Sequence, residues 1–391
     1  MTQLPRGFVA RTSNFGIKDS SLDFVVVLGR PGTVGVSMYT QSRFAGASVV
    51  LSRELSASGG TRGVVVLSKN SNVATGDEGL RNAREIVNGV AARLDCNNDE
   101  LIIASTGVIG RQYPMEKIRA GIAAVPALPE STDATLVARA IMTTDTKPKL
   151  AEAIVLGSAS GDGTPARIVG VAKGVGMIEP NMATHISLVF TDAALSRGEL
   201  EVVYRRCVER TFNRVSIDTD TSTSDTTVCL ASGAAGAVDS AAFEQALYEV
   251  MLSLTKQIAR DGEGAEKLIE VRVDAARDTD QAVTVARSIV NSPLVKTAVH
   301  GADPNWGRVA MAIGKCSQFS DIDQDRVVIR FGNQEVYPKR VDDTGLAALS
   351  TYMAGADVVI HVSLGTGGSE ATVWGCDLTD GYVRINADYT T

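Results

Sequence analysis

Lys173-Gly-Val-Gly-Met-Ile-Glu-Pro-Asn-Met-Ala-Thr184-His-Ile-Ser-Leu-Val-Phe190 changes character halfway along. Gly174, Gly176 and Pro180 break any helix and Asn181 favours a turn, so the first half reads as a loop. Ile186, Leu188 and Phe190 alternate with His185, Ser187 and Val189, so the second half reads as a strand. Thr184 stands at the junction, behind the small Ala183. A threonine at the start of a buried strand, reached through a Gly/Pro loop, suits self-processing. Its hydroxyl attacks the Ala183 carbonyl, and water hydrolyses the resulting ester. The freed amino terminus belongs to Thr184 itself. Its unperturbed pKa of about 7.7–8.0 lets it act as a base near neutral pH. Nucleophile and base then share one residue, in a chain with only three histidines to offer as partners. An Ala-Thr pair is equally ordinary at the edge of a half-buried strand. The stretch alone leaves both readings open.

Outward from this segment, strands and helices alternate. Phe8 to Val27 reads as two short strands around a turn at Lys18-Asp19-Ser20, with Asp23–Leu28 a buried strand. Ser48-Val-Val-Leu51 is expected as a strand, as is Gly63–Ser68, which ends in the polar loop Lys69–Thr75. Leu80, Ala83, Ile86, Val87, Val90 and Leu94 have helical spacing, with Thr75 or Asp77 as cap. Leu101–Ser105 is a strand that ends in Thr106-Gly107. Such a tip can present a hydroxyl and backbone N–H groups to a developing oxyanion, or be a plain strand-to-helix turn. Ser131–Met142 is a helix stopped before Pro148. Ala153–Leu156 and Ala166–Ala172 are strands joined by the Gly157–Pro165 loop, and the second delivers Lys173.

Beyond the junction, Ser196–Thr211 and Asp239–Arg260 are amphipathic helices, and Lys267–Val273 is a strand. A boundary between a main lobe (1–274) and a smaller C-terminal lobe (275–391) is expected near Asp274. In that lobe Asp280–Asn291, Val309–Ile313 and Leu346–Ala354 read as helices. Arg326–Arg330, Asp357–Val362 and Glu370–Trp374 read as strands. Ser292–Arg308 reads as a polar, glycine-bearing loop, and the chain is expected to end on a docked strand from Tyr382. The fold class is therefore α/β.

The 391 residues, 44% hydrophobic, suffice for a large core and two lobes. With 37 glycines and 5% aromatics, small residues dominate the packing, as close-packed α/β layers require. A net charge of −7 without a basic block argues against a nucleic-acid partner. No apolar run approaches a membrane span or a signal core, and five scattered cysteines without a CxxC suit free thiols in a reducing compartment. A cytoplasmic location is expected, with no membrane partner. Gly174-x-Gly176 lacks the third glycine of a dinucleotide loop. Asp218, Asp220 and Asp225 lack the glycine and terminal glutamate of an EF-hand, so hydroxyls bonding turn backbone are expected there instead. His185, His300 and His361 lack zinc spacing, and no metal is expected.

Six segments in order carry a resemblance: Ser105–Gly110, Ile141–Thr146, Lys173–Met177, Glu179–Thr184, Asp261–Gly264 and Tyr382–Tyr389. Together they resemble the ornithine acetyltransferase family, the bifunctional glutamate N-acetyltransferases of arginine biosynthesis, in details closest to the type found in clavulanic-acid gene clusters. The resemblance implies a self-processing, N-terminal-nucleophile α/β sandwich with a smaller C-terminal α/β lobe. It implies a cut between Ala183 and Thr184, giving chains 1–183 and 184–391 that stay together as a dimer of αβ pairs. Thr184 is then the nucleophile, Thr106 and Gly107 the oxyanion hole. Thr143 (or Thr144), Lys173, Glu263, Asn386 and Thr391 match substrate-binding positions. The implied reaction is ping-pong acetyl transfer from N-acetylornithine to glutamate, without a cofactor. Departures are His185, where an apolar residue is expected, Ala302, where cysteine is common, and the inserted Gly157–Pro165 loop. They leave room for a secondary-metabolism relative with another acyl donor or hydrolase activity, and for an uncleaved binding protein.

Overall fold

The computed structural model describes residues 2–157, 164–179 and 185–388. Ala183, Thr184, Thr391 and most of the Gly157–Pro165 loop lie outside the described residues. In chain order the first elements are β1 (Phe8–Ser13), β2 (Phe24–Gly29), β3 (Val34–Tyr39), α1 (Ala47–Ser56), β4 (Gly63–Asn70), α2 (Gly76–Arg93), β5 (Leu101–Val108), α3 (Met115–Ala124) and α4 (Ala134–Ile141). There follow β6 (Lys149–Ile154), β7 (Arg167–Lys173), β8 (Ile186–Ala194), α5 (Arg197–Arg210), β9 (Thr226–Ala237) and α6 (Ser240–Arg260). The last third holds β10 (Leu268–Ala276), α7 (Thr279–Val290), α8 (Pro293–His300), α9 (Trp306–Gly314), β11 (Val328–Phe331), β12 (Gln334–Tyr337), α10 (Asp343–Met353), β13 (Asp357–Ser363), β14 (Ser369–Cys376) and α11 (Asp380–Asp388).

Two sheets form the main lobe, in the orders β1-β2-β4-β5 and β3-β9-β8-β7-β6. They face each other. Val25, Val64, Val66 and Ile102 of the first meet Val171, Leu188, Phe190 and Val228 of the second, with α4 closing one side. The outer face of the first sheet is covered by α2 and α3 through Val65, Leu67, Ile86, Val90 and Ile118. The outer face of the second is covered by α5 and α6 through Val203, Cys207, Leu247, Val250 and Leu254. The order is helix, sheet, sheet, helix. Strands buried on both faces explain the unbroken Val/Leu/Ile runs of β2, β4 and β5. The parallel neighbours β8 and β9 run through the centre of the second sheet. Ile186, Leu188 and Phe190 all turn to the inter-sheet core, the alternation expected of the junction strand.

The third sheet, β12-β11-β13-β10-β14, carries its own core with α7, α8 and α9. β10 is paired on both sides within it. The expected boundary residue Asp274 lies within β10.

Three local expectations are corrected. Ser48-Val-Val-Leu51 lies in helix α1, not a strand. The helix is held on β5 by Ser52, whose hydroxyl donates to the Ile103 carbonyl (2.7 Å) and accepts its N–H (2.8 Å). Tertiary packing overrides the β preference of two valines. Within the expected loop Ser292–Arg308, Pro293–His300 is helical, capped by the Ser292 hydroxyl with proline at the first helical position. The C-terminal segment is helix α11, not a strand. It starts against Gly264, whose φ is +70° and where a Cβ would lie 2.2 Å from Tyr382 N. Only glycine admits this approach.

Candidate active site

The strand β5 carries Thr106 and Gly107 just before its last residue, Val108. Gly107 has φ +129°, and a Cβ there would lie 2.1 Å from the backbone of Lys69 on β4. Only glycine lets the tip of β5 close on β4 in this way. β7 ends in Lys173, whose ammonium donates to Thr106 Oγ1 at 3.2 Å. Glu263 sits in the turn after α6, and Asn386 on α11 donates to its Oε2 at 3.0 Å. Thr144, in the loop after α4, donates its hydroxyl to Glu263 Oε1 at 3.3 Å. These residues, with Thr143, line one pocket of about 270 Å³. Met177 and His185 line it too, so both described flanks of the segment holding Ala183 and Thr184 reach its wall.

A buried charge cluster supports this pocket. Lys149 Nζ donates to Asp145 Oδ1 (2.6 Å) and to Asp261 Oδ2 (2.5 Å), with side-chain exposures of 0% for Lys149 and Asp145 and 3% for Asp261. Asp145 also accepts from the Gly174 N–H (2.8 Å) and the Thr143 N–H (3.0 Å). Asp261 accepts from the Thr146 N–H (3.2 Å) and hydroxyl, two residues before Glu263. One ammonium therefore ties the Thr143 loop, the Lys173–Gly174 corner and the Glu263 turn into a single frame. Burial alone would raise the Asp145 carboxyl. The Lys173 and Lys149 charges, with the Lys149 and Thr143 hydrogen bonds, override it and hold the group at about 2. Burial pushes the Lys173 ammonium down, and Asp145 opposes the shift.

The loop before the junction is pinned as well. Asp218 accepts from the N–H groups of Met177 (2.6 Å) and Ile178 (2.8 Å). Glu179 accepts from Ser216 Oγ (2.8 Å) and from Asn291 Nδ2. Hydroxyls of the Asp218–Thr226 run bond turn backbone as expected, Thr221 to Glu179 O (3.2 Å) and Thr226 to Ser224 O (3.3 Å). His185 is buried edge-on against Phe212, 4.3 Å between ring centres, and neither ring nitrogen has a partner among the described residues. Burial, then the Lys173 and Lys149 charges, push it down to about 3, so the ring is neutral. His361 bonds Asp274 at 2.8 Å on the third sheet, away from the pocket.

Of the residues singled out in the sequence, Thr106, Gly107, Thr143, Lys173, Glu263 and Asn386 come together. Ala183, Thr184 and Thr391 lie outside the described residues. Sequence reasoning missed Asp145, Lys149 and Asp261 as the frame, and Asp225 on the pocket wall. Asp145 and Asp261 stand inside two of the six resembling segments, Ile141–Thr146 and Asp261–Gly264, which was the available signal.

The layers and the pocket define a layered α/β protein with a charged pocket where the ends of β5 and β7 meet. The chain belongs to the ArgJ family, which matches residues 9–391. A glutamate N-acetyltransferase Oat2 of Streptomyces clavuligerus is 55% identical over 395 residues, covering 99% of this chain and 98% of that protein. The arginine biosynthesis bifunctional protein ArgJ 2 of Nostoc sp. is 52% identical over 387 residues, with 99% and 98% covered. Among solved structures, the arginine biosynthesis bifunctional protein argJ of Bacillus halodurans aligns at 41% identity and TM-score 0.49, over 52% of this chain and 98% of that one. Among the described residues, no helix is long and apolar enough to cross a membrane.

Proposed function

We propose that this chain cuts itself between Ala183 and Thr184 and then moves an acetyl group from N-acetylornithine to glutamate through an acetyl-Thr184 intermediate. One observation carries the reading. Six positions spread from residue 106 to residue 386 converge on one pocket whose wall is continued by the residue after Thr184. In the first half-reaction Thr184 Oγ attacks the acetyl carbonyl while its own amine takes the hydroxyl proton. The Thr106 hydroxyl and the Gly107 N–H hold the oxyanion, each such donor being worth about 3–4 kcal/mol in comparable sites. Lys173 meets the amino-acid carboxylate as a point charge, and Glu263, steadied by Thr144 and Asn386, meets an ammonium. Ornithine leaves and glutamate attacks the ester. No cofactor takes part in these steps.

The topology supports two chains that stay joined. The second sheet takes β3, β7 and β6 from before the cut and β8 and β9 from after it. Separation would open its central β7–β8 ladder, so cleavage leaves an interlocked pair, two of which form the expected assembly in the cytoplasm. The test is trapping. N-acetylornithine added without acceptor should load one acetyl group onto the 184–391 chain, read by mass, and glutamate should remove it. Label on any other chain position, or none, refutes the reading.

A further inference from the structure

Asp225, next to the first residue of β9, is the one carboxyl among the described pocket-lining residues that this mechanism leaves idle. It is 1% exposed and lines the pocket, yet neither carboxyl oxygen has a hydrogen-bond partner among the described residues. The Ser222 and Thr40 hydroxyls stand beside the carboxyl and draw it down against burial, but neither closes to a hydrogen bond, and the Thr40 hydroxyl donates to the Ser222 carbonyl at 2.7 Å instead. Lys173 lines the same pocket but makes no ion pair with it. The backbone around Asp225 is fixed. Its carbonyl accepts from Thr40 N (3.1 Å), and the next N–H, of Thr226, donates to His185 O (3.1 Å). A buried polar group without a partner is costly, so such a group facing a pocket marks where a ligand's polar atom belongs.

The chemistry supplies that atom. In each half-reaction of the acetyl transfer proposed above, a nitrogen changes between a neutral amide and a charged ammonium. Moving the threonine hydroxyl proton accounts for one of the two protons gained by the leaving nitrogen. A second must come from somewhere and be returned when the acceptor arrives.

We infer that Asp225 is the proton store of the transfer reaction, giving a proton to the departing amine and taking one back from the incoming ammonium. This rests on the acetyl-threonine reading. In the first half, the Thr184 Oγ–C bond forms and the C–N bond breaks. The nitrogen receives the hydroxyl proton by way of the Thr184 amine and a second proton from the Asp225 carboxylic acid. The amine departs as an ammonium, leaving Asp225 a carboxylate. In the second half, the glutamate ammonium returns a proton to Asp225, its free amine attacks the ester, and the last proton goes to Oγ. Charge and atoms balance in each half. The site suits the cycle: burial pushes the Asp225 carboxyl well up and so favours its acid form, with Lys173 opposing. Among the described residues, the other titratable groups on the wall are Glu263, already held by Thr144 and Asn386, and the neutral His185.

The experiment compares two acetyl donors on wild type and Asp225→Asn, both as the full, processed protein. N-acetylglutamate has a leaving nitrogen that needs the proton; p-nitrophenyl acetate has a leaving group that does not. Acetylation of the 184–391 chain by N-acetylglutamate should fall about 100- to 10,000-fold in the variant, the usual worth of a positioned acid. The aryl ester rate should fall far less. Equal losses with both donors, or no loss with the amide, overturn the proton store. Absence of acetyl-enzyme in wild type would instead sink the transfer reading. Should Asp225→Asn fail to fold or process, wild type alone decides. At saturating N-acetylglutamate the acetylation rate should pass through a maximum and fall as pH rises, while the ester rate climbs to a plateau. A shared falling limb, or none in either, counts against the proposal.

Discussion

Lys149→Met tests whether one ammonium organises the pocket. The side chain is fully buried and bonds two carboxylates that are themselves shielded. Methionine fills a similar volume but leaves Asp145 and Asp261 without their shared cation. Breaking one side of a buried ion cluster costs about 3–5 kcal/mol, far above the 0–1 kcal/mol of an exposed pair. The loss carries a signature in pH. In wild type Asp145 is held at about 2, below its unfolded value of 3.8. Its contribution, about 2–3 kcal/mol, is present above pH 4 and lost as pH falls through 2. In the variant burial, the largest influence on Asp145, outweighs the remaining Lys173 charge, its folded carboxyl rises above the unfolded value, and the folded state binds an extra proton. The deficit should therefore be largest at pH 7 and shrink toward pH 5. Urea unfolding of the processed proteins at both pH values reads it. A deficit under about 1 kcal/mol at pH 7, or one that grows on acidification, would refute the reasoning.

Gly107→Ala should cut transfer about 100- to 1,000-fold in kcat, the worth of an oxyanion donor, because the β5 tip must withdraw from Lys69; a change within threefold in steady-state kcat would remove it from the oxyanion hole. Glu263→Gln should raise KM for ornithine-type substrates about tenfold or more with little change in kcat, and unchanged KM would dismiss its ammonium contact. Asp218→Asn should weaken the grip on the Met177 and Ile178 amides by about 1–2 kcal/mol and slow self-cleavage, followed as loss of the uncut band on a gel; wild-type kinetics would show that the loop needs no such anchor. Gly264→Ala should displace α11 and with it Asn386, raising KM while leaving the cut intact; normal KM would contradict that helix's place in the site.

Much of the layered core is legible because burial on both faces demands runs that only strands supply, as in Phe24–Leu28, Gly63–Ser68 and Leu101–Ser105. The long stripe Phe243 to Ile258 reads as helix for the same reason at a period of 3.6. Short segments fail where packing outvotes propensity. Val49 and Val50 prefer a strand, but Ser52 bonds both backbone groups of Ile103 and fixes a helix. The Ser292-Pro293 pair held a readable helix start that the following glycines and polar residues obscured. Tyr382-Val-Arg-Ile imitates a strand, and its helical form depends on Gly264, over a hundred residues away. In the site, single residues at strand tips carried local signals, whereas the Lys149 frame did not. Asp145, Lys149 and Asp261, the last 112 residues beyond the lysine, become one cluster only after the sheets are stacked.

The central claim is that the working enzyme is a cut chain whose new end is Thr184. Intact mass of freshly purified wild-type protein, taken beside its transfer rate and beside Thr184→Ala, tests this most directly. The account predicts wild type as two masses matching 1–183 and 184–391 with full activity, and Thr184→Ala as one uncut, inactive chain. A single uncut mass in wild type that still transfers acetyl groups would contradict it.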